Sequence, residues 1–121
     1  MSQISKLICS GSQLIDGEKG VRFNVGVNGK PQAAFVVRFG GEVHAFVNSC
    51  PHLGVELDWE PGEFFDLSGL YLVCATHGAV FMPDSGYCTG GPCKGRRLVS
   101  LPVRERDGEI FLGEGLELYV E

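Results

Sequence analysis

Apolar residues along the chain fall into short runs separated by glycine, asparagine, aspartate and proline. The clearest run is VRFNVGV at residues 21–27, where four apolar residues alternate with arginine, asparagine and glycine. Strict alternation of this kind predicts a β-strand with one buried face. By the same criteria, nine strands are predicted between turn residues: Ile4–Cys9, Val21–Val27, Ala33–Phe39, Glu42–Val47, Leu70–Cys74, Ala79–Met82, Leu98–Arg104, Glu109–Leu112 and Glu117–Val120.

Two glycine-containing pairs mark positions where the chain reverses direction. Gly40-Gly41 and Asp107-Gly108 each stand between two predicted strands, and such pairs favour two-residue β-hairpin turns. No stretch combines a helical period with capping residues. The sequence therefore predicts an all-β fold, an antiparallel barrel or sandwich.

The middle of the chain differs from its ends. Residues 48–95 hold four of the five cysteines, two of the three histidines and the only tryptophan, whereas the flanks resemble strands. The 121 residues suffice for one domain with its own core, so a bound cofactor would serve function more than stability. We expect a single domain over residues 1–121, with a metal-binding subdomain at about 48–95 inserted in a β base formed by 1–47 and 96–121.

Charge and cysteine usage narrow the class of protein. The formal net charge of −5 argues against nucleic-acid binding, which usually needs a basic surface. No apolar run approaches the roughly 20 residues of a membrane span, and the first 20 residues lack the pattern of a secretory leader. Five cysteines without a leader are typical of the reducing cytoplasm, where clustered cysteines more often bind metal than form disulfides. Nothing in the sequence predicts a stable oligomer, so a monomer is expected.

Two short boxes carry the candidate chemistry. The first is Cys50-Pro51-His52, and the second, after 21 intervening residues, is Cys74-Ala75-Thr76-His77. Two thiolates and two imidazoles suit zinc or an iron–sulfur cluster. A single zinc ion favours cysteines paired in one box and histidines in the other, but here each box mixes the two. A two-iron cluster with both cysteines on one iron and both histidines on the other uses such a mixture, although structural zinc remains an alternative.

With these boxes the sequence resembles the Rieske family, in which two cysteines and two histidines hold a [2Fe–2S] cluster. The resemblance continues through FMPDSG at 81–86, GGP at 90–92 and LVSLPV at 98–103. It implies a Rieske-like fold and one [2Fe–2S] cluster per chain. It also implies that Cys50 and Cys74 hold the more buried iron and that His52 and His77 hold the more exposed one.

The sequence departs from the respiratory members of that family in three places. The spacer is long, so the loop over residues 55–70 is expected to carry extra structure. Val55 and Thr76 stand where those proteins have disulfide-forming cysteines, and Ala79 stands where they have a serine that donates to the cluster. These differences resemble the soluble Rieske ferredoxins that serve ring-hydroxylating oxygenases. Fewer hydrogen bonds to the cluster predict a potential near the low end of the roughly −150 to +300 mV Rieske range.

The expected function is one-electron transfer by a protein that is not itself an enzyme. The implied ligand set leaves no coordination site for a substrate, and no dinucleotide fingerprint or Ser/His/Asp set is present. Electrons would then come from a separate reductase and pass to an oxygenase or similar acceptor. Two alternatives stay open: a non-catalytic Rieske-like small subunit of a larger reductase of the nitrite reductase type, and a zinc-stabilised interaction module.

Three further features have both a functional and an ordinary interpretation. No lysine or arginine occurs over 40–93, which holds seven acidic residues, so this stretch either attracts a basic redox partner or is simply a solvated loop. Cys88 and Cys93 are expected to be thiols packed near the cluster, with a reversible disulfide as the alternative. His44 is expected to be a surface or edge residue of a strand and not a ligand.

Overall fold

The computed structural model describes residues 7–27, 30–50, 55–58, 60–75, 78–91, 95–113 and 116–119. These residues contain β-strands and one 3₁₀ turn, at Gly11–Gln13, and no α-helix. In chain order the strands are β1 (Leu7–Ser10), β2 (Val21–Val27), β3 (Lys30–Phe39), β4 (Glu42–Val47), β5 (Leu72–Val73), β6 (Val80–Phe81), β7 (Cys88–Gly90), β8 (Ser100–Leu101), β9 (Val103–Arg106), β10 (Glu109–Leu112) and β11 (Glu117–Tyr119).

The strands form three antiparallel sheets. The largest has the order β11-β2-β3-β4-β8, a second has the order β1-β10-β9, and a third, of strands only two or three residues long, has the order β5-β6-β7. All of these pairings are antiparallel. The predicted all-β, antiparallel fold class is confirmed.

Both predicted hairpin turns are present. Gly40 and Gly41, with φ of 64° and 83°, join β3 to β4, and Phe39 pairs with Glu42 across the turn. Asp107 and Gly108, with φ of 54° and 76°, join β9 to β10 in the same way. Positive φ at both central residues matches the right-handed twist of the flanking strands, which explains the use of glycine and aspartate here.

The predicted strand over Leu98–Arg104 is wrong in one respect, because it is two strands that belong to different sheets. β8 pairs with β4, and β9 pairs with β10. Pro102 lies between them and has no N–H to continue a ladder, while its carbonyl accepts from Gly113 N at 2.7 Å. The chain therefore changes sheets at the proline.

Two elements were not predicted from the sequence. The strand β7 is rich in small and polar residues, so it gave no apolar alternation to detect. The 3₁₀ turn did have a signal, because Ser10 and Gln13 form a capping box in which each side chain pairs with the other's backbone N–H. The first residues of the predicted strand Ile4–Cys9 lie outside the described part of the chain.

The middle of the largest sheet is buried on both faces. Along β3, Ala34 and Val36 belong to one core together with Ile110, whereas Phe35 and Val37 belong to another. The first core lies against the sheet of β1, β9 and β10, and the second lies against residues 48–98. The largest sheet is therefore a middle layer, and the candidate site is built on the face that carries Phe35.

Arg38, on β3 of the largest sheet, is hydrogen-bonded to the 3₁₀ turn and to β9 of the second sheet. Its five N–H donors are all used: Nε donates to Leu14 O, Nη1 to Gly41 O and Glu105 Oε1, and Nη2 to Gly11 O and Glu105 Oε2, at 2.7–3.2 Å. The hydrogen bond from Arg38 lowers the pKa of the Glu105 carboxyl. A planar guanidinium matches this set of acceptors, which an ammonium group could not.

We expect a Glu105→Gln variant to unfold about 1 kcal/mol more easily than the wild type at neutral pH, because it loses this two-bond ion pair. Folding lowers the pKa of this carboxyl, so the ionised group stabilises the folded state at every pH above its pKa in the unfolded chain. This stabilisation is lost as the pH falls through the pKa of the carboxyl in the folded protein. Urea unfolding at several pH values should show the difference vanish in acid. Glu109→Gln, on the neighbouring strand, is the control. A difference that persisted in acid would mean that packing, and not the ion pair, was lost.

Candidate metal centre

The two cysteines of the boxes lie together in the interior. Cys50 follows the end of β4, and Cys74 directly follows β5, with relative exposures of 2% and 1%. Both belong to the same buried cluster, which also contains Phe81 and Leu98. The structure thus brings the two predicted thiolate ligands to one apolar region. The two predicted imidazole ligands, His52 and His77, lie outside the described residues.

The two boxes have the same backbone closure. Cys50 N donates to Val55 O at 2.7 Å, and Cys74 N donates to Ala79 O at 2.8 Å. In each box a cysteine is therefore bonded to the residue five positions later, and in the sequence a histidine stands between them. Gly78, with φ of 73°, supplies the turn that the second box needs at its end. The same closing hydrogen bond is therefore present at both boxes, which sequence spacing alone did not show.

Backbone hydrogen bonds also hold the loops side by side. Ala75, which follows Cys74, donates its N–H to Leu57 O at 3.0 Å. Val73 donates to Phe64 O at 2.9 Å, so the strand that precedes the second box is tied to the same segment. The residues that follow the first box are therefore the ones that support the second box.

A third segment packs against the second loop. A side chain at Gly91 (φ 89°) would meet Ala79 Cα at 2.8 Å, so only glycine fits this approach. Cys88 is buried in the same core as Cys50 and Cys74, and its Sγ donates to Gly90 O at 3.1 Å. Cys93 lies outside the described residues, so the expected thiol state of Cys88 and Cys93 remains a prediction.

Several acidic residues of the 40–93 stretch form ion pairs with basic residues at or just before β2. Arg22 Nη2 lies 2.7 Å from Glu56 Oε1, and Arg22 Nε lies 3.5 Å from Asp58 Oδ2. Glu63 lies 3.7 Å from Lys19. Three of the seven acidic residues therefore contribute less to an outward field than their sequence suggested. The basic partners are far away in sequence, which is why the pattern of residues 40–93 alone did not reveal them.

The remaining histidine is not part of the candidate centre. His44 lies on β4, opposite Val37 of β3, and is half-buried. Within the described ranges, no three His, Cys, Asp or Glu side chains come together as a metal site. The described part of the chain also contains no helix long and apolar enough to span a bilayer.

The residues present fit an iron–sulfur group. Deprotonated cysteine sulfur is the soft ligand that such clusters require, and two cysteines converge here. Their apolar surroundings, which include Leu57 and Phe81, would keep water from the sulfurs. Val55 packs against the same core, and no disulfide-forming residue is present at that position.

Comparison with known proteins gives the family. The family model of the Rieske [2Fe-2S] domain matches residues 5–110. The structure of the ferredoxin of carbazole 1,9a-dioxygenase from Nocardioides aromaticivorans IC177 is 26% identical, with 92% of this chain and 98% of that chain covered and a TM-score of 0.70. No curated protein sequence matches the chain.

Two further structures share the fold. The Sphingomonas yanoikuyae B1 ferredoxin is 22% identical, with 92% and 99% of the two chains covered and a TM-score of 0.70. A chain from a complex of reduced oxygenase and oxidized ferredoxin in carbazole 1,9a-dioxygenase is 23% identical, with 88% and 99% covered and a TM-score of 0.66. Because the family model spans most of the sequence and the two cysteine loops fit its cofactor, the chain belongs to the Rieske [2Fe-2S] domain family.

Proposed function

We propose that this protein is a Rieske-type ferredoxin, a one-electron carrier between separate redox proteins. The proposal is supported by the two cysteine boxes, each of which is closed by a backbone hydrogen bond from its cysteine and has that cysteine in one shared buried cluster. The similarity to the Nocardioides ferredoxin supports it, since the match covers nearly all of both chains.

Cys50, His52, Cys74 and His77 are proposed to hold one [2Fe–2S] cluster per chain. When bound, such a cluster accepts and returns a single electron, and it needs no substrate coordination site. The chain itself would provide two thiolates and would keep water from them with Leu57, Phe81 and Leu98. Its backbone hydrogen bonds would hold the two loops in a fixed relative position. Residues 48–95 would then be the cluster-binding subdomain of the single domain. On this proposal the protein is not an enzyme.

The surroundings of the cysteines favour a low reduction potential. Ala79 is fully buried beside the second loop and has no hydroxyl to donate to a sulfur. Hydrogen bonds to the sulfurs raise the potential of an iron–sulfur cluster by stabilising its reduced, more negative form. We therefore propose a potential near the low end of the roughly −150 to +300 mV Rieske range.

The proposed partners are a reductase as electron donor and a ring-hydroxylating oxygenase or similar protein as acceptor. Support comes from a solved complex in which a ferredoxin is bound to the oxygenase of carbazole 1,9a-dioxygenase. Cys9 is a buried thiol outside any disulfide, which agrees with a reducing compartment, and we propose the cytoplasm. The two alternatives, a reductase small subunit and a zinc module, have less support, because two of the structural relatives reported above are ferredoxins, one of them that of carbazole 1,9a-dioxygenase.

The direct test is an anaerobic EPR spectrum of the dithionite-reduced protein, with iron and zinc assayed on the same sample. We expect about two irons per chain and a rhombic signal with a low average g value, as mixed cysteine and histidine ligation produces. The untreated protein serves as the control, since the oxidised cluster should be EPR-silent. About one zinc per chain and no signal would contradict the proposal and favour the zinc-stabilised module.

A further inference from the structure

A buried carboxylate lies next to the first cysteine loop, although it belongs to no predicted ligand set. The side chain of Asp58 has an exposure of 0%. Its Oδ1 accepts from Asn48 Nδ2 at 3.0 Å, its Oδ2 accepts from Gly62 N at 3.0 Å, and Arg22 Nε is 3.5 Å from Oδ2. Every described buried polar side-chain atom has a hydrogen-bond partner, and this carboxylate is held from three sides.

Asn48 extends this network to both boxes. Asn48 stands two residues before Cys50, is itself buried, and accepts from Leu57 N at 2.8 Å through Oδ1. The carbonyl of Leu57 in turn accepts from Ala75 N, directly after Cys74. One ion pair, from Arg22 on β2 to Asp58, and a series of hydrogen bonds, from Asp58 through Asn48 to Leu57 and Ala75, therefore link β2 to the segment after the first box and to the second box.

A buried charge is a costly means of stabilising a fold. Removing a carboxylate from water costs several kilocalories per mole, and apolar side chains of similar volume often stabilise equally well. What a fully satisfied polar network provides is one defined arrangement, because each donor has one acceptor to meet. Such a device suits a place where the relative position of two loops matters.

We propose that Arg22, Asp58 and Asn48 are positioning residues that fix the first cysteine loop relative to the second, and thereby the geometry in which the cluster is held. The inference rests on the proposed function. It goes beyond the ligand set, because it says that a side-chain network attached to β2 fixes the position of one loop relative to the other. Residues that orient metal ligands without binding the metal commonly affect how well the metal is retained.

The pattern of donors and acceptors gives a sharp test. In Asp58→Asn, the new NH₂ group replaces one of two accepting oxygens. It must face either the Asn48 NH₂ group or the Gly62 N–H, so two hydrogen-bond donors point at each other. In Asn48→Asp two carboxylates face each other across the former hydrogen bond. The double variant Asn48→Asp/Asp58→Asn exchanges the two groups. It restores all three hydrogen bonds, to Leu57 N, to Gly62 N and between the side chains, without changing the net charge, and lacks only the ion pair between Arg22 and residue 58.

The experiment compares iron release to a chelator and reduced-state EPR spectra in the wild type and the three variants. We expect each single variant to lose iron about tenfold faster than the wild type and to have shifted g values, and the double variant to recover most of both. Glu60→Gln is the matched control, because it removes one exposed negative charge from the same segment, and it should behave as the wild type.

The outcomes separate this inference from the proposed function. A wild type without a Rieske signal would overturn the function, and the positioning role with it. A wild type with the signal, but a double variant as impaired or as poorly folded as the single ones, would overturn the positioning role alone. The same holds if Asp58→Asn cannot be distinguished from Glu60→Gln, since the effect would then be one of charge.

Discussion

A Cys74→Ala variant is expected to purify with less than about a tenth of the wild type's iron and to give no reduced-state EPR signal. The reason is that Cys74 is proposed to supply one of two sulfur ligands, and it is almost fully buried, so water cannot easily take its place. Iron content and EPR of freshly purified protein, normalised to protein concentration, measure the effect. Cys50→Ala should give the same result, since Cys50 is equally buried and closes its own box by the same backbone hydrogen bond.

Two other buried cysteines serve as controls for this experiment. Cys88 lies in the same core as Cys74, and Cys9 lies in the core on the opposite face of the largest sheet. Replacing either with alanine removes a buried sulfur without removing a proposed ligand, so both variants should keep their iron. If Cys88→Ala lost iron as completely as Cys74→Ala, packing and not ligation would explain the loss.

The second large effect is expected from Phe64→Ala, which should lower the free energy of unfolding by about 3–5 kcal/mol. Phe64 is fully buried and stacks on Phe35 of β3, with ring centroids 3.9 Å apart and an interplanar angle of 13°. Its carbonyl also accepts from Val73 N. The ring therefore attaches the segment between the two boxes to the β base, and its loss would leave a cavity at that junction.

Urea unfolding followed by circular dichroism measures this change. Phe65→Ala is the matched control, because the neighbouring ring is only half-buried and its contact with Phe39 is looser, at 6.3 Å between centroids. Its effect should be less than half as large, in keeping with the smaller area it buries. Equal losses for the two variants would show that Phe64 does not anchor the segment in a special way.

Much of the base could be predicted because its strands follow local rules. The strands at 21–27, 42–47 and 109–112 have the predicted bounds, and both glycine-containing turns lie where expected. The division at Pro102 could not be predicted, since it depends on which sheet each half joins. Local periodicity predicts an extended segment and does not identify its hydrogen-bonded neighbour.

The sequence predicted the candidate ligands of the site, but it did not predict the hydrogen bonds and ion pair that hold the surrounding segments in place. The cysteine and histidine boxes stand out by residue type and spacing. The network of Arg22, Asp58 and Asn48 joins residues up to 36 positions apart, none of which has an unusual type or spacing. Sequence reasoning treated Asp58 as one of several solvent-facing acids, whereas it is buried. Only tertiary contacts distinguish a structural carboxylate from a surface one.

The split between β8 and β9 has a consequence for the order of events during synthesis. Protein chains leave the ribosome from the N-terminus, so both cysteine boxes emerge before residues 98–119. Until those residues follow, β4 lacks its neighbour β8, β2 lacks β11, and β1 has no partner strand. A nascent chain would thus expose its thiols on an incomplete scaffold. Iron is therefore expected to enter only after residues 98–119 have been synthesised and have completed the sheets.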